Sequence, residues 1–236
     1  MQKRKTRIGI MFAAVFLAFV GAYFIYVRGV TIVPHFEEAK VIGQKTYQWS
    51  AGAPMPTPRT EVAAVALANN MYVIGGLDGF ARTLATVEIY NVQTNSWSKA
   101  PSLPVPRHHT AAVAVREKIY VVGGHTGVPF QPTSTLFMFD PEKNAWEEKA
   151  PLPSARGALA AAAVGDFIYA VGGNNGSGQT GSLEIYDTKA NTWKAATPMP
   201  TAREHLAASA LNGKFYVGGG RKSWFSIHNL PTLEIY

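Results

Sequence analysis

The stretch Met71-Tyr72-Val73-Ile74-Gly75-Gly76 decides the fold, because its pattern returns three more times at nearly constant spacing. The later copies span 119–124, 168–173 and 215–220. Tryptophans recur with the same period, at separations of 48, 49 and 47 residues. They are Trp49, Trp97, Trp146 and Trp193. Self-similarity at a fixed period of this length is the signature of a repeat architecture.

Two further markers keep the same period. An arginine closes a proline-rich turn in every unit, at Arg59, Arg107, Arg156 and Arg203. Later in each unit, the tripeptide Glu88-Ile89-Tyr90 returns at 137–139, 184–186 and 234–236, with Phe137 replacing the glutamate in the second copy. The coincidence of these markers shows that the chain is built from one repeated unit.

Each unit is predicted to be a four-stranded antiparallel sheet. In the second unit, short apolar segments at 110–115, 119–124 and 136–139 and a fourth strand containing Trp146 are separated by polar turns. A lone sheet of this kind cannot bury both faces, so the units must pack face to face around an axis. Alanine and valine dominate the first strand of the units, which suits the crowded innermost position.

The combined pattern of Pro-x-Arg, a small apolar strand, aromatic-Val-x-Gly-Gly, Glu-x-Tyr and Asn-x-Trp resembles the kelch repeat. The resemblance covers residues 47–236 and implies an all-β, kelch-type β-propeller similar to galactose-oxidase-like proteins. Four blades are recognisable, whereas propellers of this kind usually have five to seven. We therefore expect an incomplete propeller; the alternative is ring closure, in which a strand at 47–49 completes the last blade.

The net charge of +7 does not indicate nucleic-acid binding, because it is concentrated near the N-terminus. Five basic residues precede the first acidic residue, Glu37, and the chain after residue 28 carries 17 basic against 15 acidic side chains. Residues 8–27 form an uncharged, mostly apolar run long enough to span a bilayer as a helix. More basic residues precede this run than follow it, which predicts a cytoplasmic N-terminus.

The sequence therefore predicts a single-pass membrane protein with four segments. They are a cytoplasmic basic tip at 1–7, a transmembrane signal-anchor at 8–27, a stalk at 28–45 and an extracytoplasmic propeller at 46–236. A cleaved signal peptide is the alternative, since Val20-Gly21-Ala22 offers small residues for cleavage. The chain has no cysteine, so disulfide bonds do not contribute to its stability.

Antiparallel topology places the arginine turns and the loops after each Gly-Gly pair on one face. The predicted ligand-binding residues of this face are Arg59, Arg107, His108, His109, His125, Arg156, Arg203, His205 and Arg221. The repeated arginines form either a mouth for an anionic ligand or internal supports of the blades. The non-repeated histidines and Arg221 are better functional candidates, because the fold alone does not require them.

The sequence predicts no catalytic residues, no cofactor and no metal. We considered a metal site formed by His109, His125 and His205, but no carboxylate or cysteine stands at a diagnostic spacing from them. The copper-radical chemistry of oxidases with this fold needs a cysteine, which is absent. No nucleophile elbow or phosphate-binding loop is present either.

The leading functional hypothesis is a membrane-anchored module that binds a protein or a glycan through one propeller face, with an anionic ligand as one option. A second hypothesis, from resemblance to exported kelch-type sialic-acid epimerases, is an enzyme acting on an acidic sugar. A third is a structural spacer within a longer surface protein.

Overall fold

The computed structural model describes residues 49–223 and 229–236, and this part of the chain contains β-strands and no helix. The chain divides into two compact units, Met1–Ser50 and Ala51–Tyr236. Trp49 and Ser50, the described residues of the first unit, are exposed and belong to no strand. No helix in the described ranges is long and apolar enough to cross a membrane. The predicted basic tip at 1–7, the anchor at 8–27 and the stalk at 28–45 all lie outside the described residues.

The second unit is an all-β, four-blade propeller, and its first three blades are four-stranded antiparallel meanders. Blade 1 comprises β1 (Ala63–Leu67), β2 (Asn70–Ile74), β3 (Val87–Asn91) and β4 (Ser96–Lys99). Blade 2 comprises β5 (Ala111–Val115), β6 (Lys118–Val122), β9 (Leu136–Asp140) and β10 (Ala145–Lys149), with a small hairpin, β7 (His125–Thr126) and β8 (Gln131–Pro132), after β6. Blade 3 comprises β11 (Ala160–Val164), β12 (Phe167–Val171), β13 (Leu183–Asp187) and β14 (Thr192–Ala196).

Blade 4 differs, because it has three strands in the described part of the chain. They are β15 (Ala207–Leu211), β16 (Lys214–Gly218) and β17 (Leu233–Ile235). A fourth strand at 47–49 remains a prediction, since residues 47 and 48 are not described and Trp49 lies outside any strand.

The meander predicted for the second repeat is confirmed in blade 2. The main difference from the prediction is at its second strand. The strand ends at Val122 rather than at Gly124. The reason is backbone conformation: Gly123 and Gly124 adopt φ of 57° and 102°, which are easy for glycine and break the pleat.

The blades pack face to face through three apolar clusters, one at each junction between consecutive blades. Tyr72 and Ile74 of blade 1 meet Ile119 and Phe137 of blade 2. Val113 and Leu136 of blade 2 pack in the same cluster as Ile168 of blade 3. The third cluster joins blade 3 to blade 4. Burial of these side chains is the main source of stability.

The repeated Gly-Gly pair also joins neighbouring blades. The amide of the second glycine donates to the carbonyl of the next blade's repeated arginine, from Gly76 to Arg107 at 2.8 Å and from Gly124 to Arg156 at 2.9 Å. A Cβ on the first glycine, Gly75 or Gly123, would overlap that same carbonyl oxygen. The glycines are therefore needed both for the positive φ and for close approach of the next blade.

The repeated tryptophans provide a second contact between successive parts of the chain. The indole N–H groups of Trp97, Trp146 and Trp193 donate to backbone carbonyls that lie 44, 45 and 43 residues earlier, each at 2.8 Å. The acceptors are Ala53, Pro101 and Ala150. Each indole thus anchors the segment that leads into its own blade.

Candidate functional site at the propeller axis

The residue after each repeated arginine pairs with the residue after the Gly-Gly pair of the same blade. These bridges join Thr60 to Leu77, His108 to His125, Gly157 to Asn174 and Glu204 to Arg221. The expected location of the arginine turns and the post-glycine loops on one face is therefore correct.

The next residue in each turn has the same unusual backbone in all four blades. Glu61, His109, Ala158 and His205 have φ between 52° and 53°, in the left-handed region that side chains rarely adopt. Their backbones form a chain of hydrogen bonds between blades, from His205 to Ala158 at 2.9 Å, from Ala158 to His109 at 2.8 Å and from His109 to Glu61 at 3.2 Å. We call these four positions the inner turn positions. One backbone arrangement thus presents four different side chains.

The repeated arginines lie inside their own blades. Arg156 is fully buried, pairs with Glu184 on β13 and donates to the carbonyl of Ala170 at 3.0 Å. Arg203 makes the same pair with Glu234 and also donates to the carbonyl of Val217 at 3.0 Å. The corresponding pair in blade 1 joins Arg59 and Glu88. These contacts support the alternative that the repeated arginines are internal supports of their blades. A ligand contact by these arginines remains a prediction.

Arg107 is the exception, because Phe137 occupies the position of its glutamate. Its guanidinium lies 5.8 Å from the centre of the Phe137 ring and donates to the Thr135 hydroxyl at 2.9 Å. It is 3% exposed. Burial lowers the pKa of Arg107, since charge is costly away from water.

Three of the predicted histidines form a cluster with Phe130. The rings of His108 and His109 are 4.8 Å apart, and each lies 5.8 Å from the ring of His125. Nδ1 of His108 lies 2.6 Å from Nδ1 of His109, so one of these two nitrogens must donate a hydrogen bond to the other. The pKa of His109 is lowered to about 3 and that of His125 to about 4, and burial is the largest cause of both shifts. Both imidazoles are therefore neutral at physiological pH.

The position of the His125 ring depends on the absence of a side chain at Gly157. A Cβ on Gly157 would overlap the His125 ring, and Gly157 stands where the other blades have Thr60, His108 and Glu204. The blade 3 turn therefore leaves the space that the His125 ring fills.

The fourth blade contributes a charged group to the same region. Glu204 is fully buried, and its Oε1 lies 3.1 Å from Nε of Arg221 and 3.5 Å from Nδ1 of His205. Burial alone would raise the pKa of Glu204, but hydrogen bonds with His205, Asn174 and Arg221 lower it to about 2. This carboxylate is charged and holds both neighbours in place.

Glu61 and Glu204 belong to the same arginine turns, but they are not among the binding residues predicted from the sequence. The structure puts Oε2 of Glu61 3.2 Å from Nε2 of His109 and brings the rings of His109 and His205 to 4.9 Å. The signal was present: each inner turn position stands two residues after a repeated arginine. The pairing was missed because the partners are 48 residues apart along the chain.

A cleft of about 320 Å³ opens beside the histidine cluster. It is lined by His125, Val128, Pro129, Phe130, Asn174 and Gly176. Val128 is 72% exposed at its rim. The lining is mostly apolar, with an imidazole and an amide as its polar groups.

Comparison with known families matches residues 104–234 to the KLHDC2/KLHL20/DRC7 Kelch-repeats domain and residues 58–104 to the Kelch motif. The chain belongs to the kelch-repeat family. The kelch propeller is also similar to the solved structure of YjhT, with a TM-score of 0.64 and 22% sequence identity. That similarity covers 73% of this chain and 63% of the YjhT chain, and at this identity it shows a shared fold alone. A search of curated proteins gave no match.

Proposed function

We propose that this kelch propeller is a recognition module that binds a protein segment through the face formed by the inner turns and the post-glycine loops. The observation that carries the proposal is the variation at the inner turn positions. Their backbones are equivalent, yet their side chains are Glu61, His109, Ala158 and His205. A fold that only needed to close its turns would not require that difference.

The adjoining cleft indicates what kind of ligand would fit. Val128, Pro129 and Phe130 offer apolar surface, which suits the side chains of a peptide better than a fully polar glycan. Arg221 is partly exposed and stands beside the histidines, so it can meet an anionic group at the edge of the ligand. A glycan remains the alternative ligand.

Binding by the full-length chain should be measured against a peptide library and a glycan array in parallel. We expect Phe130→Ala and Arg221→Ala to weaken the best peptide by about tenfold or more, as for central contact residues. Phe167→Ala and Lys143→Ala are matched controls, because Phe167 at the start of β12 and Lys143 in the turn before β10 are exposed at the opposite end of the blades. Equal losses in test and control variants, or binding to glycans alone, would contradict the proposal.

We also propose that residues 8–27 anchor the propeller to a membrane with the propeller on the extracytoplasmic side. The apolar run and the charge asymmetry of its flanks support this. The chain should then stay in the membrane fraction after alkaline extraction and lose its propeller to protease added outside spheroplasts or vesicles. Release by alkali would contradict anchoring.

A further inference from the structure

Three inner turn positions present groups that commonly bind metal ions. One ligand atom from each of Glu61, His109 and His205 lies within 4.8 Å of the other two. The closest pair, Oε2 of Glu61 and Nε2 of His109, is already 3.2 Å apart. Two ligands on one tetrahedral zinc ion, with bonds of about 2.0–2.1 Å, are separated by about 3.4 Å. The third ligand atom therefore has to approach the other two by at most about 1.4 Å to complete the set.

We propose that Glu61, His109 and His205 bind one divalent transition-metal ion, with zinc as the expected occupant. Two imidazoles and one carboxylate are a donor set that zinc accepts. This proposal does not depend on the recognition function proposed above, because zinc binding can be measured without a peptide or glycan ligand.

The surroundings of the two histidines decide how each can bind a metal ion. Nδ1 of His109 lies 2.6 Å from Nδ1 of His108. When His109 donates in this hydrogen bond, its Nε2 carries a lone pair directed toward Glu61. Oε1 of the buried Glu204 lies 3.5 Å from Nδ1 of His205, and Nη2 of Arg221 lies 3.2 Å from Nδ1 and 3.3 Å from Nε2, so metal binding at His205 requires the guanidinium to move aside. Hydrogen-bonded and carboxylate partners fix the orientation of metal-bound imidazoles.

The local charge also favours a cation. The carboxylates of Glu61 and Glu204 outnumber the guanidinium of Arg221 in this cluster, which leaves a net charge of about −1 when the imidazoles are neutral. This negative charge attracts a cation.

The fourth inner turn position adds no ligand to the three that the described residues provide. Ala158 has the same backbone as the three ligand residues but carries only a methyl group. Three protein ligands with one position left for water or an exogenous group is the arrangement of zinc sites that act on a ligand rather than only stabilise a fold.

The test is zinc titration of the full chain, purified without a polyhistidine tag and treated with a chelator. Calorimetry should show one ion per chain, and Co²⁺ should give the intense visible bands of a four- or five-coordinate site. Glu61→Gln, His109→Ala and His205→Ala should each weaken zinc binding by about tenfold or more. Glu61→Gln is the decisive variant, because the side chain is 38% exposed and its replacement is close in shape, so the fold should be retained.

Glu142→Gln, at an exposed glutamate in the turn after β9, is the matched control for Glu61→Gln and should leave zinc affinity unchanged. His125→Ala tests the ligand assignment. The His125 ring adjoins that of His109, but the residue is not among the three ligands, so its loss should change zinc affinity less than threefold. Absence of stoichiometric zinc binding, or unchanged affinity in Glu61→Gln, would overturn the proposal. A loss in His125→Ala equal to that in His109→Ala would overturn the ligand assignment and favour a three-histidine site.

Discussion

Arg156 and Arg107 occupy the same position in successive blades but face different partners. Arg156 is paired with the buried Glu184, whereas Arg107 lies over Phe137. Replacing Arg156 with methionine leaves a buried carboxylate without its partner, which costs about 3–5 kcal/mol. Arg107→Met leaves no such charge, so we expect a clearly smaller loss. Urea unfolding of the two variants measures the difference between their free energies of unfolding.

The double variant Arg156→Met, Glu184→Met provides the control. Because it removes both charges, it should recover most of the stability lost in Arg156→Met. If Arg107→Met were as damaging as Arg156→Met, the ion pair would not be the reason for the repeated arginine. The role of the repeated arginines would then have to be sought in a contact common to both blades.

At the scale of the strand ends, the Gly-Gly pair offers a matched comparison. Gly172 and Gly219 have nearly the same backbone, with φ of 65° and 66°, so alanine is similarly strained at both. A Cβ on Gly172 would lie 2.8 Å from the carbonyl oxygen of Arg203, while no atom of the described residues stands within 4 Å of a Cβ on Gly219. We therefore expect Gly172→Ala to destabilise the fold by about 1–3 kcal/mol more than Gly219→Ala.

Thermal or urea unfolding of the two glycine variants checks this expectation. Since the backbone strain is common to both, their difference reports the contact with the next blade alone. Equal destabilisation would mean that positive φ is the whole reason for the first glycine.

The strands and turns could be predicted because every blade repeats the same local signals. The Gly-Gly pair, the arginine turn and the tryptophan each occur four times, so one ambiguous copy is corrected by the others. The inner turn positions could not be ranked in this way, because their side chains differ between blades. The contact between Glu61 and His109 joins equivalent positions of two different units, so residue spacing within one unit does not predict it. The environment of Arg107, in contrast, is indicated by the sequence, because Phe137 stands where the other units have glutamate.

At the scale of the whole molecule, the two flanks of blade 4 have different surroundings. One face packs on blade 3, and Phe215 there is 1% exposed. On the other face, Leu233 is 63% exposed, whereas the equivalent Leu183 of blade 3 is 3% exposed because blade 4 covers it. The described part of the chain thus supplies no neighbour for this face of blade 4.

In the described part of the chain no strand pairs with the outer edge of β17, and this gives a prediction for hydrogen exchange. The amide of Tyr236 donates to Phe215 on β16, so the preceding amide, that of Ile235, points to the opposite edge. Its equivalent in blade 3, Ile185, lies between β12 and β14. We expect the Ile235 amide to exchange about tenfold faster or more than the Ile185 amide, because only the latter has a strand to bond to. Equal protection would show that a further strand pairs with β17, and would favour ring closure by the segment at 47–49 over an open edge.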